Sequence, residues 1–232
     1  MRDNPNSLML FAAGLGTRMG DLVLQVPKPL IPVAEKPLID HALEIVDSAN
    51  VKNVVVNTHF KSDKIVTHLQ GRPIRISHET PTLLETGGGL RNALPLLGEG
   101  PVYTLNSDAI WSGDNPLSQL SEFWNPETMD ALLLLIKPQN AYGHTGTGDF
   151  AAPDHDGRIK RGPELVYSGA QITKTGDLQQ VGKDAFSLNV IWDVMMNRGR
   201  VFGVVYDGLW CDVGRPAGIN EAEKMLRADH DV

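Results

Sequence analysis

The apolar run Leu8-Met9-Leu10-Phe11-Ala12-Ala13 breaks directly into Gly14-Leu15-Gly16-Thr17-Arg18-Met19-Gly20, and Pro27-Lys28-Pro29-Leu30-Ile31-Pro32-Val33 follows. A short, uninterrupted apolar stretch ended by glycines reads as a strand buried on both faces, the kind found in parallel sheets covered by helices. Glycines there let the backbone turn and bring its N–H groups close to an anion. Arg18 offers a forked donor to phosphate oxygens, and the prolines stiffen the segment that carries Lys28. The chain is expected to open with a buried strand feeding a phosphate-binding loop. Two common nucleotide fingerprints are excluded. Gly20 falls one position late for Gly-x-Gly-x-x-Gly, no acidic residue closes a second strand at the right distance, and no Gly-Lys-Ser/Thr follows as a P-loop needs.

Val51 to Thr58 reads as a second buried strand, and between the two Leu38, Ile39, Ala42, Leu43 and Val46 recur at helical spacing, which predicts a βαβ unit. A second unit follows. Ser62 caps a short helix through Leu69, Ile74 to Ser77 is a strand, and Leu90, Ala93, Leu94 and Leu97 form a helical stripe after the glycines at 87 to 89. The strand Val102 to Ser107 then ends at Asp108. Beyond Trp111 the pattern changes: Ala131 to Ile136, Val166 to Ile172 and Val201 to Tyr206 read as strands, and Leu188 to Met196 and Pro216 to Arg227 as helices. Asp156-Gly157 reads as a hairpin turn between Asp149-Phe150-Ala151 and Arg158-Ile159-Lys160, so antiparallel pieces are expected here.

A net charge of −7 over 232 residues argues against a nucleic-acid or anionic-membrane surface, so the phosphate site must be local and its ligands small. No apolar run approaches the roughly 18 residues of a membrane span, there is one cysteine, Cys211, and no secretory leader is evident; the cytoplasm is the expected compartment. Seven histidines are scattered without zinc-site pairing, and His59 reads as a strand-end residue. Asp108 and Asp212 attract attention for metal chemistry, because nucleotide-bound Mg²⁺ keeps several waters and takes only one or two protein carboxylates. Each aspartate alone reads more readily as a turn or cap residue; their weight comes from company.

The run from Leu8 to Pro37 resembles the signature of sugar-1-phosphate nucleotidyltransferases. Glu85-Thr86-Gly87-Gly88-Gly89, Asn106-Ser107-Asp108 and Trp210-Cys211-Asp212-Val213-Gly214 resemble that family's later motifs, in order and at plausible separations. The resemblance implies a Rossmann-like α/β fold, a mixed, mostly parallel sheet flanked by helices with small antiparallel additions. It also implies transfer of a nucleotidyl group from NTP to a sugar 1-phosphate, with release of pyrophosphate. Carried over residue by residue, Gly14, Gly16 and Arg18 cradle the triphosphate beside Ala13, and Lys28 binds phosphate at the reacting centre. Asp108 and Asp212 hold Mg²⁺. Thr86, Gly87 and Gly88 match a segment that lies against base and ribose, Glu79 falls near a base-contacting position, and Gly148-Asp149 and Ser168-Gly169 resemble the sugar pocket. The implied division is a single domain over 1–232, with a nucleotide-binding part to about 110, a sugar-binding part over about 111–215 and a terminal helix over 216–228.

Two departures bear on substrate. Ser107 stands where most relatives carry glycine, and Arg161-Gly162-Pro163-Glu164 stands in place of a Glu-Lys-Pro segment that commonly meets the sugar phosphate. The compact length, Glu-Thr-Gly-Gly-Gly and the Asn-x-Asp near Trp111 look most like the branch acting on N-acetylmuramate 1-phosphate with UTP. Small mannose-1-phosphate guanylyltransferases, using GTP, share much of the pattern. A cytidylyltransferase acting on a small alcohol phosphate and a non-catalytic nucleotide sensor are the other readings. A sensor should lack Arg18, Lys28 or a metal aspartate, and the chain has them all.

Overall fold

The computed structural model describes residues 4–230. Its strands are β1 (Ser7–Phe11), β2 (Pro32–Val33), β3 (Lys36–Pro37), β4 (Asn53–Thr58), β5 (Ile74–His78), β6 (Val102–Asn106), β7 (Ala109–Ser112), β8 (Ala131–Ile136), β9 (Ala141–Tyr142), β10 (Val166–Thr173), β11 (Val201–Tyr206) and β12 (Leu209–Asp212). Its helices are α1 (Leu38–Ser48), α2 (Ser62–His68), α3 (Glu85–Leu97), α4 (Pro116–Phe123), α5 (Asn189–Asn197) and α6 (Pro216–His230). Seven strands form one sheet in the order β11-β8-β10-β6-β1-β4-β5. Only β10 runs against its neighbours, so the sheet is mixed and mostly parallel, as the motifs imply.

The central strands lie between two apolar layers, one holding α1 and α4 residues and the other α3 and α5 residues. All five α1 positions in the expected stripe are buried, and Leu38, Ile39, Leu43 and Val46 each contribute about 1.5–3 kcal/mol on full burial. β8, β10 and β11 come from the second half of the chain but extend the same sheet as β1, β4, β5 and β6. Among the described residues no helix is long and apolar enough to cross a membrane.

Three local expectations need correction. Ser62 is not the cap of α2: Lys61 precedes the helix in a left-handed conformation at φ 50°, and Ser62 Oγ donates instead to Thr58 Oγ1 at 2.8 Å. The glycines at 87 to 89 lie inside α3, which starts at Glu85; added side chains would meet Phe186 at Gly87, the Asp184 carbonyl at Gly88, and Glu79 and Asn57 at Gly89. The turn at Gly157 forms, with Gly157 N–H donating to Asp154 O at 2.9 Å, but in place of a continuous ladder its two sides join through an isolated bridge between Phe150 and Arg161 and single backbone bonds such as Ala151 N–H to Lys160 O at 2.9 Å. Pro153, with no N–H to give, interrupts any ladder. A second sheet, β7-β12-β9, and helix α4 were not legible as elements. For α4 a signal existed: Asn115 accepts from the N–H groups of Leu117 and Ser118 as an N-cap, and Pro116 follows at the first helical position.

Candidate active site

The carboxyl ends of β1, β4 and β6 open on one cleft, where parallel sheets place ligands. β1 stops at Phe11 and a side chain takes over: Ala12 N–H donates to Asn57 Oδ1 at 2.7 Å. Asn57 donates to Glu79 Oε1 at 2.6 Å, and Glu79 Oε2 accepts from Leu84 N–H at 2.7 Å. Glu79 is 1% exposed, so this chain of bonds is a buried floor joining β1, β4 and the approach to α3. The cavity above it, about 210 Å³, is lined by Ala13, Gly14, Lys28, Glu79, Thr86 and Asp108 among others.

Gly16 takes φ +66°, and a Cβ there would stand 2.9 Å from Val23 and 3.0 Å from the Lys28 Cβ; glycine lets the loop fold down over the lysine. Beyond it, Met19 and Val23 drop into an apolar cluster with Ile31, Val33, Cys211 and Val213. That shared core couples the loop to β12, and so brings Arg18 to Asp212. A Cβ on Gly214 would meet both Asp212 Oδ2, at 2.8 Å, and Arg18 Nη2, at 3.2 Å. Cys211, buried beside the charges of Glu221 and Asp212, has its thiol pushed up to about 12 by burial first and those charges second, and acts as a small apolar residue.

Register explains the aspartate pair. β12 sets Asp212 opposite Ala109 of β7, and Val213 N–H donates to Asp108 O at 2.9 Å. Lys28, held between its prolines, donates from Nζ to Asp108 Oδ2 at 2.6 Å with its side chain 10% exposed. Burial, and next the charge of Asp108, pushes the Asp212 carboxyl above the usual range, against the pull of Lys28, Arg18 and His144. Asp108, ion-paired to Lys28, and Asp212, within the field of both, form a carboxylate pair in a partly desolvated cleft that suits a divalent cation. Ser107 is accommodated by its own bond, Oγ donating to Phe11 O at 2.7 Å. Three potential ligands also converge at Asp154, His155 and Asp156, but that turn is exposed. There Asp154 Oδ1 already accepts from the N–H groups of Asp156 and Arg158.

A second cavity, also about 210 Å³, shares Phe11, Thr86 and Asn106 with the first and continues to Asp149, Arg161, Tyr167, Asn189 and Trp192. Of the residues expected at the sugar, Asp149 lines it, its Oδ2 accepting from Tyr167 N–H at 2.8 Å. The others shape its wall. Ser168 and Gly169 form an irregularity in β10, with Gly169 at φ +85° passing against the Asn106 side chain, and Gly148 packs on the backbone of Glu164 and Leu165. Gly87 and Gly88 likewise serve packing, since both N–H groups donate to Phe186 O, and side chains there would collide with Phe186 and the Asp184 carbonyl. Thr86 Oγ1 accepts from Leu188 N–H at 3.0 Å. The motifs do not point to Tyr167, Asn189 and Trp192 as lining residues, and they mark Arg161 only as a departure from the family's segment.

Residues 8–160 match the MobA-like NTP transferase domain, and the chain belongs to that family, that of a nucleotidyltransferase enzyme. It is 40% identical over 240 residues to the N-acetylmuramate alpha-1-phosphate uridylyltransferase of Caulobacter vibrioides, spanning 97% of this chain and 99% of that one. The protein of the same name from Neisseria meningitidis serogroup B is 33% identical over 95% of this chain and 98% of its own. In fold it is similar to a Bacillus anthracis protein assigned as a glucose-1-phosphate thymidylyltransferase, with a TM-score of 0.79, 17% identity and 95% of each chain covered.

Proposed function

We propose that the chain transfers a uridylyl group from UTP to N-acetylmuramate 1-phosphate, giving UDP-N-acetylmuramate and pyrophosphate. The observation that carries the reaction type is the convergence of Lys28, Asp108, Asp212 and Arg18 at the end of a cleft made of two communicating cavities. A sugar phosphate is already ionised near neutral pH, so its oxygen attacks the α-phosphorus without a general base. The new P–O bond forms as the bond to the β-phosphate oxygen breaks, and pyrophosphate leaves with that electron pair. What the protein must do is align two polyanions and offset their repulsion.

In this reading Gly14, Gly16 and Ala13 take the triphosphate beside Arg18, and Lys28 bridges the reacting phosphates. Asp108 and Asp212 would hold Mg²⁺, which when bound neutralises phosphate charge at the reacting centre. Thr86 and Glu79 face the nucleotide, and Asp149 offers acceptors to sugar hydroxyls. Gly87, Gly88, Gly148, Ser168 and Gly169 act through the wall they shape. Glu79 presents only acceptors, which suit the N3–H of uracil and equally the N1–H and N2–H₂ of guanine. The choice of substrate pair therefore rests on likeness to the Caulobacter relative over nearly the whole of both chains. The product fits a cytoplasmic salvage of cell-wall sugars, where UTP is available.

Pyrophosphate release measured over four NTPs and a set of sugar 1-phosphates tests this. The highest kcat/KM is expected for UTP with N-acetylmuramate 1-phosphate. A higher value for GTP with mannose 1-phosphate would overturn the pair and leave the reaction class standing; no release from any pair would favour a sensor.

A further inference from the structure

N-acetylmuramate differs from N-acetylglucosamine by a lactic acid joined through an ether at O3, and so by one carboxylate. C3 lies two ring positions from C1, so its substituent projects away from the C1 phosphate. With the C1 phosphate at the Lys28 end, the lactyl group is directed toward the far part of the second cavity, beyond the shared Phe11, Thr86 and Asn106. Arg161 is the one cation among that cavity's lining residues. Resting on the substrate reading above, we propose that Arg161 binds the lactyl carboxylate and sets the preference for muramate over glucosamine sugars.

The guanidinium is held ready for this. It lies over the Phe150 ring at 4.9 Å and the Trp192 ring at 5.5 Å, both rings buried, so much of its rotamer freedom is lost before a ligand arrives. Gly162 allows the approach: a Cβ there would stand 2.8 Å from Ala151 N, on the segment that follows Phe150. One edge of the fork is used, Nη2 donating to Asp193 Oδ1 at 2.9 Å. The two side chains are 40% and 61% exposed, so this pair is weak and serves to orient the fork. No other hydrogen-bond partner for the guanidinium is found among the described residues, which leaves donors for a carboxylate. Asp149 on the same wall repels a second carboxylate and accepts from hydroxyls, which directs the lactyl group to the arginine.

The test compares kcat/KM for N-acetylmuramate 1-phosphate, its lactyl amide and N-acetylglucosamine 1-phosphate in wild type, Arg161→Gln and Arg161→Lys. Calorimetric UTP binding serves as the check on folding. Wild type is expected to favour the acid over the amide by about 10²-fold. Arg161→Gln should lose that factor on the acid while handling the two substrates that lack the carboxylate as wild type does, and Arg161→Lys should recover part of it. An equal loss on all three substrates, or an undiminished preference for the acid in an Arg161→Gln protein that binds UTP, would overturn the inference. If wild type turns over another sugar phosphate but not N-acetylmuramate 1-phosphate, the substrate reading has failed and the inference falls with it.

Discussion

Two carboxylate centres in this molecule have opposite surroundings. Asp130, its side chain 12% exposed, accepts from Arg200 Nε at 2.8 Å and Lys174 Nζ at 3.1 Å, with Arg198 Nη2 at 3.4 Å. Burial alone would raise its carboxyl, but the bonds from Arg200 and Lys174 outweigh that and hold it below the usual range. At the cleft, Asp108 has only Lys28, and Asp212 has no ion pair among the described residues and is pushed upward. Asp130 ties the start of β8 to the loops before β11 and after β10, a structural role complete within the chain. The Asp108–Asp212 pair, with one direct ion pair to Lys28 for two carboxylates, is less fully neutralised than Asp130, as expected where a cation arrives with the substrate.

The largest effects should separate the two centres by activity. Lys28→Ala, Asp108→Ala and Asp212→Ala are each expected to lower turnover by about 10²-fold or more with Mg²⁺ present, since each removes a group acting on transferred charge. Asp130→Asn should leave turnover within about twofold of wild type, surface and structural sites lying outside that electrostatic demand. Near wild-type rates in any of the first three would break the contrast.

Stability should separate them the other way. Asp130→Asn leaves Arg200 and Lys174 without their carboxylate partner, while Arg198 keeps Asp177, and is expected to cost about 2 kcal/mol, below the range for a fully buried pair because the cations are partly exposed. For a chain of this size that lowers Tm by roughly 4–8 °C. Asp212→Asn in metal-free protein relieves crowding of two carboxylates, so Tm should hold or rise by roughly 1–3 °C while activity is lost. Thermal melts of the two variants side by side check both signs. A fall for Asp212→Asn equal to that of Asp130→Asn would mean both carboxylates are structural.

The smallest effect is in pH. The Asp130 carboxyl is depressed in the folded state, so its contribution is present above the ordinary carboxylate range near pH 4 and is lost as pH falls through the folded value. Between about pH 6 and about pH 2.5, wild type should therefore lose more stability by denaturant titration than Asp130→Asn does. Parallel losses would remove the assigned role.

What the sequence disclosed follows the same contrast. The loop from Ala13 to Arg18, Lys28 between prolines, and the aspartates at strand ends were legible because their chemistry is local: glycine torsions, fixed proline φ, and strand boundaries. The α1 stripe was legible for the same reason of periodicity. Arg161, Tyr167, Asn189 and Trp192 converge only after β10, α5 and an irregular loop fold onto one sheet, and no spacing along the chain records that. The glycines of α3 also carry a role that the motif does not record, since Gly87 and Gly88 make room for Phe186 and Asp184. The β7-β12-β9 sheet was hidden because its strands are two to four residues long, too short for alternation to register.

Crystals grown with a non-hydrolysable UTP analogue and Mn²⁺ in place of Mg²⁺ would locate the cation by anomalous scattering. An anomalous peak between the carboxylates of Asp108 and Asp212, against the phosphates and within reach of Lys28, is the result expected. A nucleotide-bound structure whose manganese sits instead at the exposed Asp154–Asp156 turn, or nowhere on the protein, would contradict the assignment of the cleft pair as the metal centre.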